Sequence, residues 1–395
     1  MIFTYIDAQN KRNEIELSVS HKNSGVFELL EADSKLAFIK QFIPAYKAKQ
    51  KLVLFDKNHM QLLEFHQNNN INTLKDTQLL PDDTQLLFFT SGSSGFPVGA
   101  FKTQTNLSRE VEALKEIVEK KEIKRVVVTV PFVHIYGVLA GLLLPMALDN
   151  IELIVKEDFL PYELIEEAKI ENTLVITTPV FIKALGKMSE AVDMRSSMFI
   201  SSTGPLSCED VSIFEALYSA DVMQLFGSTE TGGIAYKIGA TKSWTPLKDV
   251  VVEQVNERLH VSSPYISSHI LEEGIKKVQQ AFGTEDIIEV SNDSFELLGR
   301  SNKLIKIAGK RISALSIESL LEDIEGVNRA VVTLVYKKEL LRSEQILITL
   351  EAKVALKKSL IKAKINESYG VLTIPFKVIY VDEIKLSSMG KKVLF

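Results

Sequence analysis

The chain has 395 residues, 46% hydrophobic and 25% charged, with 46 basic against 51 acidic side chains and a net charge of -5. That length exceeds one ordinary core, so at least two domains are expected. The composition excludes a disordered chain, and the mild acidity without a basic tract leaves no nucleic-acid partner to expect.

A single cysteine, Cys208, excludes a disulfide framework and fits a reducing compartment. Asp7, Lys11, Arg12 and Glu14 interrupt the stretch where an export signal needs an unbroken apolar region, so the expected location is cytoplasmic.

In chain order, residues 27–48 read as a helix and 51–55 as a strand, and 58–76 are polar and irregular or helical. Residues 86–89 are an apolar strand. They run into Thr90, Ser91, Gly92, Ser93, Ser94 and Gly95, whose side chains are hydroxyls or nothing at all. Such a run lets backbone N–H groups close around an anion, with hydroxyls as further donors. It is not the loop of the P-loop NTPases, which requires Gly-Lys-Ser/Thr where Phe96-Pro97-Val98 stands. Alone it reads more readily as a flexible surface loop.

Residues 105–121 follow as an amphipathic helix with Leu107, Val111, Leu114, Ile117 and Val118 on one face. Residues 126–148 hold no Asp, Glu, Lys or Arg, yet Pro131, His134, Gly137, Gly141 and Pro145 break them into a buried strand, a turn and a short apolar helix, so no membrane span is expected.

The alternation continues as strand 151–155, helix 162–170, strand 174–177, helix 181–188, strand 199–201, helix 208–218 and strand 221–226. Repeated βα units argue for mostly parallel sheets with helices on both faces. Near Trp244 the pattern changes to short alternating strands at 250–255, 258–262, 287–290 and 294–298. A compact tail follows, with strands at 305–307, 330–335, 345–350 and 376–381 and helices at 317–324 and 356–366. The expected fold class is α/β: a large N-terminal lobe of mostly parallel sheets flanked by helices plus a small antiparallel barrel-like unit, residues 1–300, then a small mobile α+β domain, residues 301–395.

Three loops follow strands in the same way: Pro131 to Gly137, Ser201 to Leu206, and Gln224 to Gly233. Ligands of open parallel sheets bind outside the carboxyl ends of strands, so these loops and the Ser/Gly run suggest one shared site.

With these stretches in order, the chain resembles the AMP-forming acyl-CoA synthetases and adenylation domains of the adenylate-forming superfamily over residues 86–395. The resemblance is carried by the Ser/Thr/Gly loop at 90–99, His134-Ile-Tyr-Gly137, Gly204-Pro205-Leu206, Gly227-Ser228-Thr229-Glu230 and Thr284-Glu285-Asp286. Gly299-Arg300 with Asn302 and Lys306, Gly309-Lys-Arg311, and Gly390-Lys391 complete it.

What the resemblance implies is ATP-dependent, Mg²⁺-assisted activation of an aryl or acyl carboxylic acid and transfer to a thiol of CoA or of an acyl-carrier protein's phosphopantetheine. Ser91 to Gly95 would hold the β- and γ-phosphates, Thr229 the α-phosphate, and Glu230 the metal. Phe226 would stack on adenine against Gly204 and Pro205, although a core phenylalanine reads nearly as well. Asp286 with Arg300 would hold the ribose, and His134 would line the acyl pocket or gate the thiol channel. Lys391 would supply positive charge to the carboxylate and α-phosphate, Asn302 would be the hinge, and Lys306, Gly309 and Arg311 would face the thiol. Acid-pocket walls would come from residues 133–139, Val180, Thr203 and Ser228.

Two departures stand out. Val98 occupies the position of the family's lysine in Pro-Lys-Gly, and Lys102 is expected to replace that charge. This is a pattern similar to the short ligases of aryl polyene and related lipid pathways, whose Trp-Thr-Pro-Leu also resembles residues 244–247. Fewer residues precede the Ser/Gly loop than the family carries, so a trimmed first subdomain is expected.

Overall fold

The computed structural model describes residues 1–17, 24–56, 74, 77–90, 98–279, 281–300, 304–307, 310–336, 344–371, 375–386 and 392–393. The chain forms two compact units, one of Met1–Val252 with Val261–Phe282, the other of Glu253–His260 with Gly283–Phe395. The α/β class expected from the alternation holds, with a large N-terminal unit and a smaller C-terminal one.

Within the first unit, strands Asp221–Ser228, Met198–Ser201, Thr173–Thr177, Arg125–Val128, Glu152–Lys156 and Ile2–Ile6 lie side by side in parallel. Gly232–Ile238 and Ser243–Pro246 extend the sheet antiparallel at one end, and Arg12–Glu14 at the other. Val126, Val127 and Val128 have no exposed surface, which is why they read as a continuous apolar run. Burying each such side chain stabilises by about 1.5–3 kcal/mol.

Helices Pro161–Ala168, Pro179–Leu185 and Cys208–Tyr218 cover one face, packing Leu164, Ile182, Val211 and Phe214 against Val127, Val175, Phe199 and Val222. Proline at the first helical position starts two of these helices, and the third opens on a Ser207/Asp210 capping box.

A second sheet runs Ile275–Lys277, His269–Leu271, Val98–Thr103, Thr84–Thr90, Lys51–Leu54 and Phe27–Leu30. One expectation is corrected here. Residues 27–48 are not one helix, because Phe27–Leu30 pairs as a strand with Lys51–Leu54 and the helix Lys35–Lys47 begins only after Ser34, whose hydroxyl accepts from the Ala37 N–H. The helix read at residues 105–121 is present as Gln104–Val118. Val98–Thr103 turns back as a strand on Thr84–Thr90, and helix Gln104–Val118 starts from the Thr103/Asn106 capping box.

The apolar run 126–148 divides into the strand Arg125–Val128 and helical turns Ile135–Val138, Leu139–Leu143 and Leu144–Ala147, the middle one a π-turn. Gly137 is required there, since a Cβ would lie 2.0 Å from the Pro131 carbonyl oxygen. No helix among the described residues is long and apolar enough to cross a membrane.

In the second unit, residues 286–291 pair antiparallel with Ser294–Arg300, and Leu304–Ile307 with Lys310–Ser313. Farther on, Val327–Tyr336, Glu344–Ala352 and Phe376–Val381 form a sheet covered by helices Ala314–Glu322 and Lys358–Tyr369 through Ile317, Leu321, Ile361 and Ile365.

Lys35 gives the first unit a pH signature. Its ammonium is buried and donates to the Thr129 and Lys156 carbonyls at 2.9 and 3.0 Å. Burial lowers its pKa to about 8 from 10.5 despite the nearby Glu157 and Asp158. Between those two values the unfolded chain holds more protons at this site, so folding stability rises with pH across that window. Against wild type, Lys35→Met should lack a rise of up to about 3 kcal/mol. Chemical denaturation at the two ends of the window checks this, and parallel slopes would exclude it.

Candidate active site

The hairpin of Thr84–Thr90 and Val98–Thr103 brings Thr90 and Val98 into register at the two ends of the Ser/Gly loop. Ser91 to Gly95 lie outside the described residues. Thr90 is described, and its hydroxyl donates to Glu230 Oε1 at 3.4 Å. The first and the fourth of the sequence motifs therefore meet, although 140 positions separate the two residues.

Glu230 sits in a tight turn between Asp221–Ser228 and Gly232–Ile238. The register of the pair slips between Phe226 and Gly227, a β-bulge that re-aims the residues beyond it. At Gly227 a Cβ would lie 2.2 Å from the Gly232 carbonyl oxygen, so only glycine permits this closure. Within the turn, the Ser228 N–H donates to the Thr231 hydroxyl at 3.0 Å, and the Thr231 N–H to the Ser228 hydroxyl at 3.2 Å. Thr231, which sequence reasoning passed over, is fully buried and its hydroxyl donates to the Gly232 carbonyl. It closes the turn and leaves Thr229 and Glu230 half-buried at its tip.

The Lys102 ammonium is fully buried and donates to the carbonyls of Tyr265 at 2.7 Å and Glu230 at 3.2 Å. Desolvation holds its pKa down to about 8, opposed by the charges of Glu110 and Glu230. It supports the backbone of the turn from behind. Glu110, not anticipated as a functional residue, is also buried and accepts the Gly233 N–H at 2.7 Å. Asn106 donates to the Pro264 and Ile266 carbonyls at 2.6 and 3.3 Å, and the Ser267 N–H donates to the Glu230 carbonyl at 2.8 Å.

The remaining loops of the first unit gather at the same ends of the parallel strands. Ser202 donates from its hydroxyl to the Leu225 carbonyl at 2.8 Å, tying the Gly204-Pro205 loop to the strand that carries Phe226. Gly204 and Pro205 are exposed, and the residue before them, Thr203, has φ 77. A β-branched residue in the left-handed region is uncommon and costs on the order of 1–3 kcal/mol, strain that collects at binding loops.

Half-buried Phe226 lies 5.5 Å from Trp244, tilted by 53°. The Lys237 ammonium sits 4.7 Å from the centre of the same indole. His134 is half-buried at the start of Ile135–Val138, and its neighbour Tyr136 donates to the Ile200 and Thr177 carbonyls at 2.7 and 3.0 Å. That bond fixes the His134 loop to two adjacent strands.

In the second unit, Asp286 and Arg300 are strand partners, with Nε of Arg300 3.4 Å from Oδ1 of Asp286. Burial raises the Asp286 pKa, while Arg300 and the Thr284 hydroxyl oppose that rise. Lys306 and Arg311 are register partners in the next hairpin. Gly309, Asn302 and Lys391 lie outside the described residues.

The donor set of the first unit fits a polyphosphate with a hard divalent cation: a half-buried carboxylate beside a hydroxyl, on a turn where glycine allows close backbone approach.

A profile described as AMP-binding enzyme matches residues 6–260. The chain belongs to this family. Among curated members it is 24% identical to oxalate–CoA ligase of Arabidopsis thaliana, over 92% of this chain and 79% of that protein. To 4-coumarate–CoA ligase of Cereibacter sphaeroides it is 23% identical over 62% of this chain, spanning only 55% of that relative's length. A 3,4-dihydroxybenzoate–[aryl-carrier protein] ligase of Bacillus anthracis is 20% identical over 68% and 63% of the two chains.

In fold, this AMP-binding enzyme aligns with ATP-bound MatB from Rhodopseudomonas palustris at TM-score 0.75 and 14% identity, covering 98% and 93% of the two chains. It aligns with the O-succinylbenzoate coenzyme A synthetase (MenE) of Bacillus subtilis, in complex with ATP and magnesium ion, at TM-score 0.77 and 15% identity, covering 99% and 95%.

Proposed function

We propose that the chain activates an aryl or acyl carboxylic acid with ATP and transfers the acyl group to a thiol, most simply that of CoA, in the cytoplasm. The observation that carries this is the Thr90–Glu230 contact, which joins the rim of the Ser/Gly loop to the Gly-Ser-Thr-Glu turn in a member of the AMP-binding enzyme family.

In the first half-reaction a carboxylate oxygen attacks the α-phosphorus, the bond to pyrophosphate breaks, and an acyl-adenylate forms. In the second, the thiol sulfur attacks the acyl carbon and AMP leaves. No protein nucleophile is consumed, which suits a chain whose lone cysteine lies at the start of a helix.

Ser91 to Gly95 hold the β- and γ-phosphates, Thr229 the α-phosphate, Gly204, Pro205 and Phe226 the adenine, and Asp286 with Arg300 the ribose. Glu230 is the carboxylate for Mg²⁺, which, when bound with ATP, neutralises phosphate charge. Lys391 places its charge where the carboxylate meets the α-phosphate. His134 borders the acyl pocket. The C-terminal region from about Asn302 rotates between half-reactions and presents Lys306, Gly309 and Arg311 to the thiol.

Acceptor choice has a second reading, a carrier protein's phosphopantetheine, supported by the Bacillus anthracis relative, an [aryl-carrier protein] ligase. Pyrophosphate release is the test, with ATP, Mg²⁺ and a panel of aryl and aliphatic acids, followed by CoA or a carrier protein whose phosphopantetheine thiol is free. Acid-dependent release is expected. ATP binding without turnover on any acid would instead favour a protein that kept the fold for binding alone.

A further inference from the structure

Lys102 and Glu110 are absorbed by none of the roles above, yet they are among the most buried charged side chains of the first unit, at 0% and 3% exposure. Both come from the segment that leaves the Ser/Gly loop, Lys102 on Val98–Thr103 and Glu110 on Gln104–Val118. Both reach the turn that carries Glu230. Lys102 donates to the Glu230 carbonyl at 3.2 Å and the Tyr265 carbonyl at 2.7 Å. Glu110 accepts the Gly233 N–H at 2.7 Å, and its other oxygen lies so near Gly232 that a Cβ there would stand 2.6 Å from it.

Burying a charge is costly unless it is paired and hydrogen-bonded, and a buried charged pair is often replaceable by apolar residues without loss of stability. Folding alone is thus a weak reason for two charges at this place. Their partners suggest a stronger one. By drawing the Glu230 carbonyl inward, Lys102 fixes the backbone so that the side chain projects toward Thr90. By holding the Gly233 N–H, Glu110 fixes the far end of the same turn.

We propose that Lys102 and Glu110 form a buried clasp that sets the Glu230 carboxylate for the divalent cation carried by ATP, both acting as positioning residues. The inference rests on the ATP reading of the site and adds a specific linkage to it: the segment leaving the phosphate loop sets the cation ligand's geometry directly.

Calorimetric titration of the full-length protein with ATP, with and without Mg²⁺, tests this without turnover. In wild type Mg²⁺ should strengthen ATP binding. In Lys102→Met and Glu110→Leu that strengthening should shrink at least about tenfold, the scale of losses when outer-shell partners of metal ligands are removed, with metal-free ATP binding unchanged. Glu110→Gln should recover to within about threefold of wild type, because its amide oxygen still accepts from Gly233.

In pyrophosphate release, half-saturation by Mg²⁺ should rise in Lys102→Met and Glu110→Leu while kcat at saturating Mg²⁺ stays near wild type. The double variant Lys102→Met/Glu110→Leu, an apolar replacement of both charges, carries the test if either single variant does not fold. Folded variants with the wild-type response to Mg²⁺ would overturn the clasp. A wild type that binds no ATP would overturn the underlying ATP reading and the clasp with it.

Discussion

Lys391→Ala is expected to abolish adenylate formation while leaving thiolysis of a supplied acyl-adenylate close to the wild-type rate. Two anions, the acid's carboxylate and the α-phosphate, must approach within bonding distance, and no cation among the described residues of the phosphate-loop hairpin is open to them. Val98 carries no charge there, and the Lys102 ammonium is buried against the Tyr265 and Glu230 carbonyls. Lys391, in the C-terminal Gly390-Lys391, is the point charge proposed for that approach, and an ammonium is suited to following charge as it moves between oxygens.

Removing one preorganised electrostatic contact of this type costs about 10²–10³ in rate. In thiolysis the acyl-adenylate already exists and the charge problem is gone. The measurement is paired: pyrophosphate release from acid and ATP, and AMP release from synthetic acyl-adenylate plus thiol. Equal losses in both would count against separate arrangements of the C-terminal region for the two half-reactions.

The elements legible in the sequence were those whose local signals and tertiary fate agree. Helix Cys208–Tyr218 follows a capping box and carries Val211 and Phe214 toward the core, so periodicity and cap give the same bounds. Phe27–Leu30 was not legible as a strand because Phe-Glu-Leu-Leu suits a helix locally, and only pairing with Lys51–Leu54 decides otherwise. Ile2–Ile6 lies in register with Glu152–Lys156, a partner 150 positions away in sequence that no local pattern announces.

At the site the motif residues were legible because backbone closure restricts their types, as at Gly227. Their supports were not. Lys102 was recognised as a cation out of place, but its direction is set by Tyr265 and Glu230, far along the chain. Glu110 did leave one trace: it falls three positions after Leu107 and four before Leu114, an acid beside the apolar stripe of its helix.

Glu230→Gln is expected to be the most damaging near-isosteric change in the first unit. The turn does not depend on the carboxylate, since its closure is made by Ser228, Thr231 and the glycines, and the Glu230 carbonyl keeps its bonds to Lys102 and Ser267. An amide oxygen can still accept from the Thr90 hydroxyl. What disappears is the negative charge, and Mg²⁺ is held by one or two carboxylates plus phosphate oxygens. Losing a direct carboxylate should exceed the ~10–100-fold that outer-shell substitutions cost at metal sites.

The variant should therefore fold with wild-type thermal stability yet need far more Mg²⁺ for pyrophosphate release, with kcat also reduced because a weakly held cation is poorly placed over the phosphates. Thr90→Val offers the contrast. It deletes only a long, part-buried contact of 3.4 Å to the carboxylate and should shift the Mg²⁺ requirement by a few-fold at most, about the value of one weak hydrogen bond. If Glu230→Gln and Thr90→Val behaved alike in a Mg²⁺ titration, the carboxylate would be a structural acceptor for the loop and not the cation's ligand.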